Sequence, residues 1–451
     1  MSDPITNQTV TVAVAAPAEH HPTRPGNYFV ANYPPFSFWK PEHVAETRAA
    51  LERPPALGTP LGLYVHIPFC RKRCHFCYFK VYTDQNAAQV QRYVDSAVKE
   101  LTTYATKPFI GGRKLDFVYF GGGTPSYLSV KQLEDLTGRL KALLPWDAVE
   151  EVTFECEPGT LTEPKLEAIR AMGVTRLSLG VENFDDHILE INGRAHRSRE
   201  VERAYHFARS IAFPQINIDL IAGMVEEMEA NWRRCIAKTI ELSPDSVTIY
   251  QMEIPYNTTI YKEMKAEGKL VAPVADWETK RDWTGYAFAE LERAGYAQSS
   301  AYTMVKDAAR TKFLYRDRLW EGADLIPIGV ASFGHIGGVH LQNDHDIVPY
   351  LEKVERGELP HWRAMAPSDE ERLIRQMILQ MKRGSVSRAA FQRKFGVDIG
   401  ERFAAPLRHL AAEGFLAVEG DTIRYTRQGL LQVDILLHDF FLPQHRDARY
   451  A

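Results

Sequence analysis

Residues 64–79 read YVHIPFCRKRCHFCYF, and this stretch places Cys70, Cys74 and Cys77 within eight positions. The apolar run before Cys70 predicts a β-strand, so the cysteines should follow on a loop at the carboxyl end of that strand. Thiolates are soft ligands that suit iron–sulfur clusters or zinc. We therefore expect the three cysteines to hold a metal centre.

The number of cysteines favours a 4Fe–4S cluster with one open iron. A closed zinc site or an electron-transfer cluster normally needs four ligands, and the chain has only Cys156 and Cys235 besides. These two fall in a strand-like and a helix-like run, where buried thiols are usually inert. The alternative is a three-cysteine zinc site completed by His66 or His75. An open iron can bind a small molecule, as catalytic metal sites require.

The composition is that of an ordinary globular protein. The 451 residues are 45% hydrophobic and 25% charged, with a formal net charge of −4. This balance provides no electrostatic signature for nucleic acid or a membrane surface, and no run approaches the ~18 apolar residues of a membrane span. The amino terminus lacks a signal-peptide pattern, and five cysteines in such a length are no disulfide framework. We expect a cytoplasmic protein.

Short apolar runs alternate with longer amphipathic segments from residue 61 onward. The strand-like runs are 63–67, 117–120, 152–156, 177–181, 216–221 and 247–251, and the helix-like segments include 87–105, 130–144 and 163–172. Strands alternating with helices predict βα units and a parallel sheet. We therefore predict an α/β fold built on a partial (β/α)6 parallel barrel, with active-site residues at the carboxyl ends of its strands.

The chain divides into four predicted parts. These are a disordered tail (1–26), an N-terminal strap (27–60), the barrel with its extension (61–365) and a C-terminal winged-helix-like α+β domain (366–451). The strap begins with NYFVANYPPFSFW, which either packs on the surface or forms part of a ligand pocket. The last part combines helix-like segments with a hairpin turning at Gly420-Asp421. Because the overall charge is near neutral, a structural or lid role is favoured there over DNA binding.

The cysteine spacing, with an aromatic residue before the third cysteine, resembles that of the radical SAM superfamily, whose members cleave S-adenosylmethionine (SAM). The flanking motifs are more specific and appear in order: YVHIPFC, FGGGTP (120–125), FECEP (154–158), LSLGVENF (177–184) and NIDLIAGM (217–224). Together they resemble the branch named for oxygen-independent coproporphyrinogen III oxidase. The resemblance extends from about residue 27 to the carboxyl terminus.

The resemblance implies a 4Fe–4S cluster on Cys70, Cys74 and Cys77 whose open iron chelates SAM. Reductive cleavage of SAM would then give methionine and a 5′-deoxyadenosyl radical. The SAM-binding residues implied by the matched motifs are Tyr64, Gly122, Gly123, Thr124, Glu155, Glu182, Arg194 and Asp219. Glycines let the backbone approach the ligand closely, and arginine suits a bidentate contact with the SAM carboxylate. Without the resemblance, the glycines would indicate a tight turn and Arg194 an exposed charge at a helix end.

Three departures from the porphyrinogen oxidases lie in the region of the expected pocket. Tyr78-Phe79-Lys80 stands where those enzymes continue with Gly-Cys-Asn, the strap sequence NYFVANYPPFSFW differs from theirs, and GRAH (193–196) replaces Asn-Arg-Glu-Gln. With the terminal run FFLPQHRDARY (440–450), these features resemble the class C radical SAM methyltransferases, which include cyclopropane-forming members. We therefore expect a second SAM molecule and transfer of a methyl or methylene group to an unsaturated carbon of a small molecule.

Group transfer of this kind needs a base, for which Glu182, His196, Tyr250 and Glu253 are candidates; His66 is better explained as a structural loop residue. Two other functions stay open. One is tetrapyrrole chemistry, either oxidative decarboxylation of coproporphyrinogen III or anaerobic ring opening of heme. The other is heme carriage by a chaperone. Whether it transfers a carbon group or acts on a tetrapyrrole, we expect the enzyme to be a monomer that uses an electron donor such as flavodoxin or ferredoxin. We expect no nucleic-acid or membrane partner.

Overall fold

The computed structural model describes residue 26, residues 28–268, residues 274–446 and residue 448. The predicted disordered tail lies outside this part of the chain except for Gly26, and the first strap residue, Asn27, lies outside it as well. Among the described helices, none is long and apolar enough to cross a bilayer.

The strap wraps around the molecule before the first long strand. It contains two 3-10 turns, Phe36–Phe38 and Pro41–His43, followed by helix α1 (Val44–Leu51). Val30 and Tyr33 are fully buried against the C-terminal part of the chain. Tyr33 Oη accepts a hydrogen bond from the Leu442 amide and lies 2.8 Å from His445 Nδ1. The strap therefore connects the barrel to the terminal segment instead of lying on the surface alone.

Six parallel strands form the centre of the fold and pair in chain order. They are β1 (Leu61–Ile67), β2 (Phe117–Gly122), β3 (Glu151–Cys156), β4 (Arg176–Glu182), β5 (Gln215–Ala222) and β6 (Ser246–Gln251). Each predicted strand is present and slightly longer than its apolar run. Parallel strands covered by helices are buried on both faces, which explains their nearly continuous apolar sequences. The predicted partial (β/α)6 barrel is thus confirmed.

Helices follow the strands and cover the outside of the barrel. They are α2 (Ala87–Ala105), α3 (Val130–Leu143), α4 (Glu163–Ala171), α5 (Asp186–Ile191), α6 (Ser198–Ser210) and α7 (Glu229–Leu242). Capping boxes fix where the first two begin: Asn86 pairs with Gln89, and Ser129 with Gln132. Such reciprocal bonds satisfy amide groups that a helix start otherwise leaves unpaired.

The extension continues the same sheet on both sides of the six strands. Beyond β6 come α8 (Thr259–Ala266), α9 (Trp277–Arg293), β7 (Ala297–Gln298) and β8 (Thr303–Val305), followed by α10 (Leu314–Trp320), β9 (Asp324–Ile328), β10 (Phe333–Ile336), β11 (Val339–Asn343), α11 (Ile347–Glu355) and β12 (His361–Met365). Strand β9 pairs in parallel with β1, while β8 pairs antiparallel with β6. The barrel is therefore open, and its sheet ends at β12 and β7.

The C-terminal part combines short helices with a small sheet, as predicted. It comprises α12 (Asp369–Met381), β13 (Ser385–Ser387), α13 (Arg388–Phe395), α14 (Ile399–Arg402), α15 (Ala404–Ala412), β14 (Leu416–Glu419), β15 (Thr422–Tyr425), α16 (Arg427–Leu430) and α17 (Val433–Leu437). The three strands are antiparallel in the order β13-β15-β14, and the hairpin turns at Gly420, whose φ is +57°. This is the α+β arrangement expected from the sequence.

A tight contact between β1 and β2 sets the spacing of the barrel wall. Gly62 lies opposite Phe117 in the parallel register, and a Cβ at Gly62 would lie 2.0 Å from Phe117 Cε2. Phe117 is fully buried, so its ring cannot turn aside into solvent. The two strands can approach at this point only because residue 62 lacks a side chain.

We expect Gly62→Ala to lower the free energy of unfolding by about 1–3 kcal/mol, because overpacking a close-packed interior displaces its neighbours. Urea denaturation measures this change. The matched control is Gly138→Ala in α3, where an added Cβ has no heavy atom within 4 Å and helix propensity favours alanine by about 0.5–1 kcal/mol. Equal stabilities for the two variants would contradict the proposed packing constraint.

Candidate active site

The cysteine loop leaves the carboxyl end of β1 and is held by backbone hydrogen bonds on several sides. The Cys70 amide donates to Tyr82 O at 3.1 Å, and the His75 amide donates to Asn192 O at 3.0 Å. Arg73 Nη2 donates to the carbonyl of Cys77 at 3.1 Å. These bonds fold residues 70–77 into a compact loop that holds all three cysteines at the rim of the barrel.

The glycine run after β2 gives the loop room to approach the barrel. The Gly123 amide donates to Ile67 O at 2.7 Å, and a Cβ at Gly123 would lie 3.1 Å from Cys70 Sγ. Gly122 has a φ of +113°, and a side chain there would meet the His66 ring at 2.6 Å. The run is therefore required for close approach as well as for its turn.

The three thiols fit a cluster better than a single metal ion. Burial raises the pKa of Cys70 to about 11 and that of Cys77 to about 12, so a metal that binds them must displace protons. Within the described residues, no group of three His, Cys, Asp or Glu side chains could hold one metal ion. A cubane cluster does not require its three thiolates to converge on one ion, because each thiolate binds a different iron.

In the part of the chain that the structure describes, neither histidine of the zinc alternative joins the cysteines in a group that could hold one metal ion. His66 is buried in β1, where Nδ1 lies 3.2 Å from Tyr64 Oη, and burial lowers its pKa to about 4. His75 Nδ1 lies 3.0 Å from the carbonyl of Ile191. The cysteines Cys156 and Cys235 are buried within the barrel and helix α7, respectively. The residues that would hold a 4Fe–4S cluster are therefore Cys70, Cys74 and Cys77.

A cavity of about 400 Å³ opens beside the cysteine loop at the carboxyl ends of the strands. Its lining includes Phe29, Phe76, Cys77, Tyr78, Phe79, Gly123, Thr124, Glu155, Glu157, Arg176, Ser178, Glu182, Arg194, Asp219, Tyr250, Glu253 and Phe313. Residues from most of the parallel strands thus meet in one place, as the barrel topology requires.

Three largely buried carboxylates line this cavity from successive strands. Burial raises the pKa of Glu155 and of Glu182 to about 7, and it also raises the pKa of Asp219. Asp219 accepts hydrogen bonds from Ser178 Oγ and Asn217 Nδ2, each at 2.8 Å. Glu182 has a φ of +63° at a register irregularity of β4, which turns its side chain toward the cavity rim. Such acids suit a ligand with positive charge or many donors.

Arg194 is the cation that contacts both the cysteine loop and the cavity. Its Nη1 donates to Cys74 Sγ at 3.2 Å, and Nη2 lies 3.5 Å from Glu182 Oε1. Burial acts to lower its pKa, but the neighbouring Cys74 and Glu182 outweigh burial and leave it raised. Arg194 is therefore a permanent positive charge beside the cluster position, and its Nε has no protein partner.

Glu157 is a site residue that the sequence reasoning missed. Its carboxylate accepts from Arg71 Nε and Nη2, each at 3.1 Å, and Oε1 lies 3.1 Å from His196 Nδ1. Burial acts to raise its pKa, but His196 and Arg71 outweigh burial and leave it lowered. The carboxylate thereby ties the cysteine loop to the GRAH segment. The available signal was the second acid of FECEP, two positions after Glu155.

Of the predicted SAM-binding and catalytic residues, Tyr64, Gly122 and His196 do not line the cavity. His196 is fully buried, and its second nitrogen, Nε2, lies 3.1 Å from the carbonyl of Val181, so neither nitrogen offers a free lone pair to a substrate. Tyr64 stacks against Tyr119 and Tyr315 inside the barrel. The side chains of Tyr250 and Glu253 do line the cavity, as does that of Thr124.

Arg176 and Phe313 form the floor of the cavity. No sequence motif indicated either residue. The Arg176 guanidinium lies 4.0 Å from the Phe313 ring centroid, and its Nε has no protein partner. Glu151 holds this floor by accepting the amides of Leu314 and Tyr315 at 2.8 and 3.1 Å. Sequence patterns could not find the pair, because residue 313 comes from the extension and residue 176 from β4.

The comparisons with known protein families match two parts of the chain. The radical SAM superfamily matches residues 64–236, which span strands β1 to β5 and most of α7. The HemN C-terminal domain matches residues 368–431, which span α12 to α16.

Individual proteins align with both parts at once. Heme chaperone HemW of Bacillus subtilis is 27% identical over 370 residues, covering 82% of this chain and 96% of that protein. Oxygen-independent coproporphyrinogen III oxidase of Escherichia coli is 26% identical over 391 residues, covering 83% of this chain and 84% of that protein. Among solved structures, coproporphyrinogen III oxidase (HemN) from Escherichia coli superposes with a TM-score of 0.79 at 24% identity, covering 91% of this chain and 96% of that one.

We expect Cys70→Ala, Cys74→Ala and Cys77→Ala each to abolish the cluster, because each thiolate binds a different iron and two thiolates are too few to hold a 4Fe–4S cluster. Iron and sulfide content after anaerobic reconstitution, together with the visible absorption, measures this. The matched controls are Cys156→Ala and Cys235→Ala, which should keep full iron content. A cysteine-loop variant with full iron and an unchanged spectrum would refute the ligand assignment.

We expect the affinity for SAM to rise with pH through about 7, where Glu155 and Glu182 become carboxylates that attract the SAM cation. One such group contributes up to about tenfold between pH 6 and pH 8. Glu182→Gln should therefore flatten the profile without removing it, because Glu155 still titrates. Anaerobic calorimetry measures the dissociation constants, with the exposed Glu190→Gln in α5 as control. A profile unchanged in Glu182→Gln would exclude this carboxylate from the SAM site.

Proposed function

Because this chain belongs to the radical SAM superfamily and carries a HemN C-terminal domain, we propose that it catalyses the oxygen-independent oxidation of a tetrapyrrole of the coproporphyrinogen type. The observation that carries the proposal is that relatives bearing this activity in their names align with the chain across both domains. The cofactors are a 4Fe–4S cluster and SAM, and we propose that a second SAM molecule binds in the same cavity.

When bound, the cluster and SAM supply a 5′-deoxyadenosyl radical that removes a hydrogen atom from the substrate. The residues of the chain bind and orient SAM. Arg194 meets the SAM carboxylate through its unpaired Nε, and the Gly123 backbone provides room for the amino group. Glu155, Glu182 and Asp219 accept hydrogen bonds from the ammonium and ribose groups, which their clustering at adjacent strand ends supports.

The outer half of the cavity suits a flat, weakly polar ring system with carboxylate arms. Tyr78 and Phe79 follow directly after the last cysteine and are 41% and 42% exposed, and Tyr250 also lines the cavity. Aromatic faces of this kind stack on pyrrole rings. On the floor of the cavity, the Arg176 guanidinium can bind a carboxylate arm.

Glu253 completes this half of the cavity. Burial raises its pKa to about 8, so at neutral pH it is a carboxylic acid that can donate one hydrogen bond to a substrate carboxylate. Oxidative decarboxylation of a propionate arm removes a hydrogen atom, carbon dioxide and one electron, which passes to a one-electron acceptor, and the step needs no base. Glu253 and Tyr250, which were candidates for a base, therefore act as binding groups in this proposal.

Transfer of a methyl or methylene group is the second candidate, and the Tyr78-Phe79-Lys80 sequence favours it. Tyr78 and Phe79 line the cavity, where they could shape a site for a smaller unsaturated substrate. None of the relatives reported above carries this activity in its name. Lys80 forms an ion pair with Asp346, so its charge is already engaged outside the cavity.

We further propose a flavodoxin or ferredoxin as the electron donor and a cytoplasmic location. Both follow from the oxygen-sensitive chemistry of a reduced cluster. The exposed Lys72, between the first two cysteines, offers a positive charge to an acidic donor protein.

The decisive experiment is anaerobic incubation of the reconstituted chain with SAM, a reductant and coproporphyrinogen III. We expect 5′-deoxyadenosine together with carbon dioxide from the substrate, and neither product from Cys77→Ala. Formation of S-adenosylhomocysteine with no carbon dioxide would replace the proposal by group transfer. Stoichiometric heme binding without any 5′-deoxyadenosine would replace it by the chaperone function.

A further inference from the structure

A fully buried ion pair lies behind the outer wall of the cavity. Lys382, directly after α12, and Asp434, in α17, have side-chain exposures of 0% and 1%, and Lys382 Nζ lies 2.7 Å from Asp434 Oδ1. Burying two charges is costly, and apolar residues would hold two helices together equally well. The other contacts of the pair therefore indicate what it does.

Both members of the pair bind the strap. Lys382 Nζ donates to the carbonyl of Val30 at 2.8 Å, and Asp434 Oδ1 accepts from the Val30 amide at 2.8 Å. The ammonium also lies 3.8 Å from the centroid of the Phe29 ring. The pair thus fixes the backbone of one strap residue and the ring of the preceding one.

The same strap segment is bound from the cavity side. The Phe29 amide donates to Glu253 Oε1 at 2.7 Å, and the Phe29 ring packs against Tyr302 and Tyr250 at centroid distances of 5.2 and 6.2 Å. Tyr302 Oη in turn donates to Asp434 Oδ2 at 2.5 Å. Phe29, Tyr250 and Glu253 all line the cavity, so a continuous set of contacts leads from the ion pair to the substrate.

We propose that Lys382 and Asp434 are positioning residues that hold Phe29 and Glu253 as the outer wall of the substrate cavity. The C-terminal domain then determines which substrates fit, although neither charged residue touches the substrate. This inference rests on the proposed function only in taking the cavity ligand to be the substrate. The alternative is that the pair joins the domains and leaves the cavity unaffected.

The test replaces both charges together, because removal of one would leave the other buried and unpaired. In Lys382→Met/Asp434→Leu we expect the amides of Phe29 and Val30 to exchange with deuterium about tenfold faster or more, since local opening governs exchange. This measurement needs no substrate. The matched control is Arg388→Met/Asp398→Asn, an ion pair at 2.5 Å in the same domain whose residues do not line the cavity; it should leave this exchange unchanged.

Kinetics separate positioning from simple stability. For Lys382→Met/Asp434→Leu we expect KM for the substrate to rise about tenfold, because a displaced cavity wall loses contacts that bind the ground state and the transition state alike. The rate of 5′-deoxyadenosine formation without substrate should change much less. Phe29→Ala, which keeps the ion pair, should reproduce the rise in KM.

Three results would overturn the proposal. One is a folded double variant with unchanged exchange at Phe29 and Val30, and another is an unchanged KM in that variant. If the double variant does not fold, Phe29→Ala with an unchanged KM decides against it. Should the wild-type protein fail to act on coproporphyrinogen III, the proposed function fails, while the exchange experiment still decides whether the ion pair holds the wall.

Discussion

The hydrogen bond from the Gly123 amide to Ile67 O is the contact on which the arrangement of the site depends. It joins the ends of β1 and β2 at the point where the cysteine loop leaves the barrel. Because residue 123 has no side chain, Cys70 can lie directly against the β2 loop, with its sulfur 3.2 Å from Thr124 Oγ1. A cluster bound to this loop is therefore placed at the rim of a cavity that the strand ends form together.

The cavity combines permanent positive charge with acids of adjustable charge. Arg176 and Arg194 are buried guanidinium groups, while Glu155 and Glu182 have pKa values raised to about 7. SAM carries both a carboxylate, which the arginines can bind, and a cationic centre, which the acids can bind. Buried acids with raised pKa values lose part of their burial cost by staying protonated, and they regain their charge when a cation arrives. The acids and Arg194 suit SAM, and the aromatic side chains suit a second ligand.

The sequence predicted those features of the fold and the site that depend on local sequence patterns. The bounds of α2 were predictable because its amphipathic pattern begins at the capping box of Asn86, and the six parallel strands were predictable because each is an apolar run buried on both faces. Motifs indicated Cys70, which follows β1, and Glu155 and Asp219, which lie in β3 and β5. Contacts between segments that are far apart in the sequence produce no local pattern, so the sequence could not predict them.

Glu157 meets Arg71 and His196 across 86 and 39 positions, and Phe29 meets Glu253 across 224 positions. The prediction of His196 as a base used the motif alone and could not include its burial between two acceptors. The sequence allows two interpretations of the strap, and the structure combines them: Phe29 lines the cavity, while Val30 and Tyr33 are buried against the C-terminal part of the chain.

The central claim is that three cysteines leave one iron of the cluster free to bind SAM. Mössbauer spectroscopy of the iron-57 reconstituted protein, recorded with and without SAM, tests it most directly. The account predicts that one iron in four changes its signal when SAM is added, while the other three keep theirs. A spectrum in which no iron responds to SAM would contradict it.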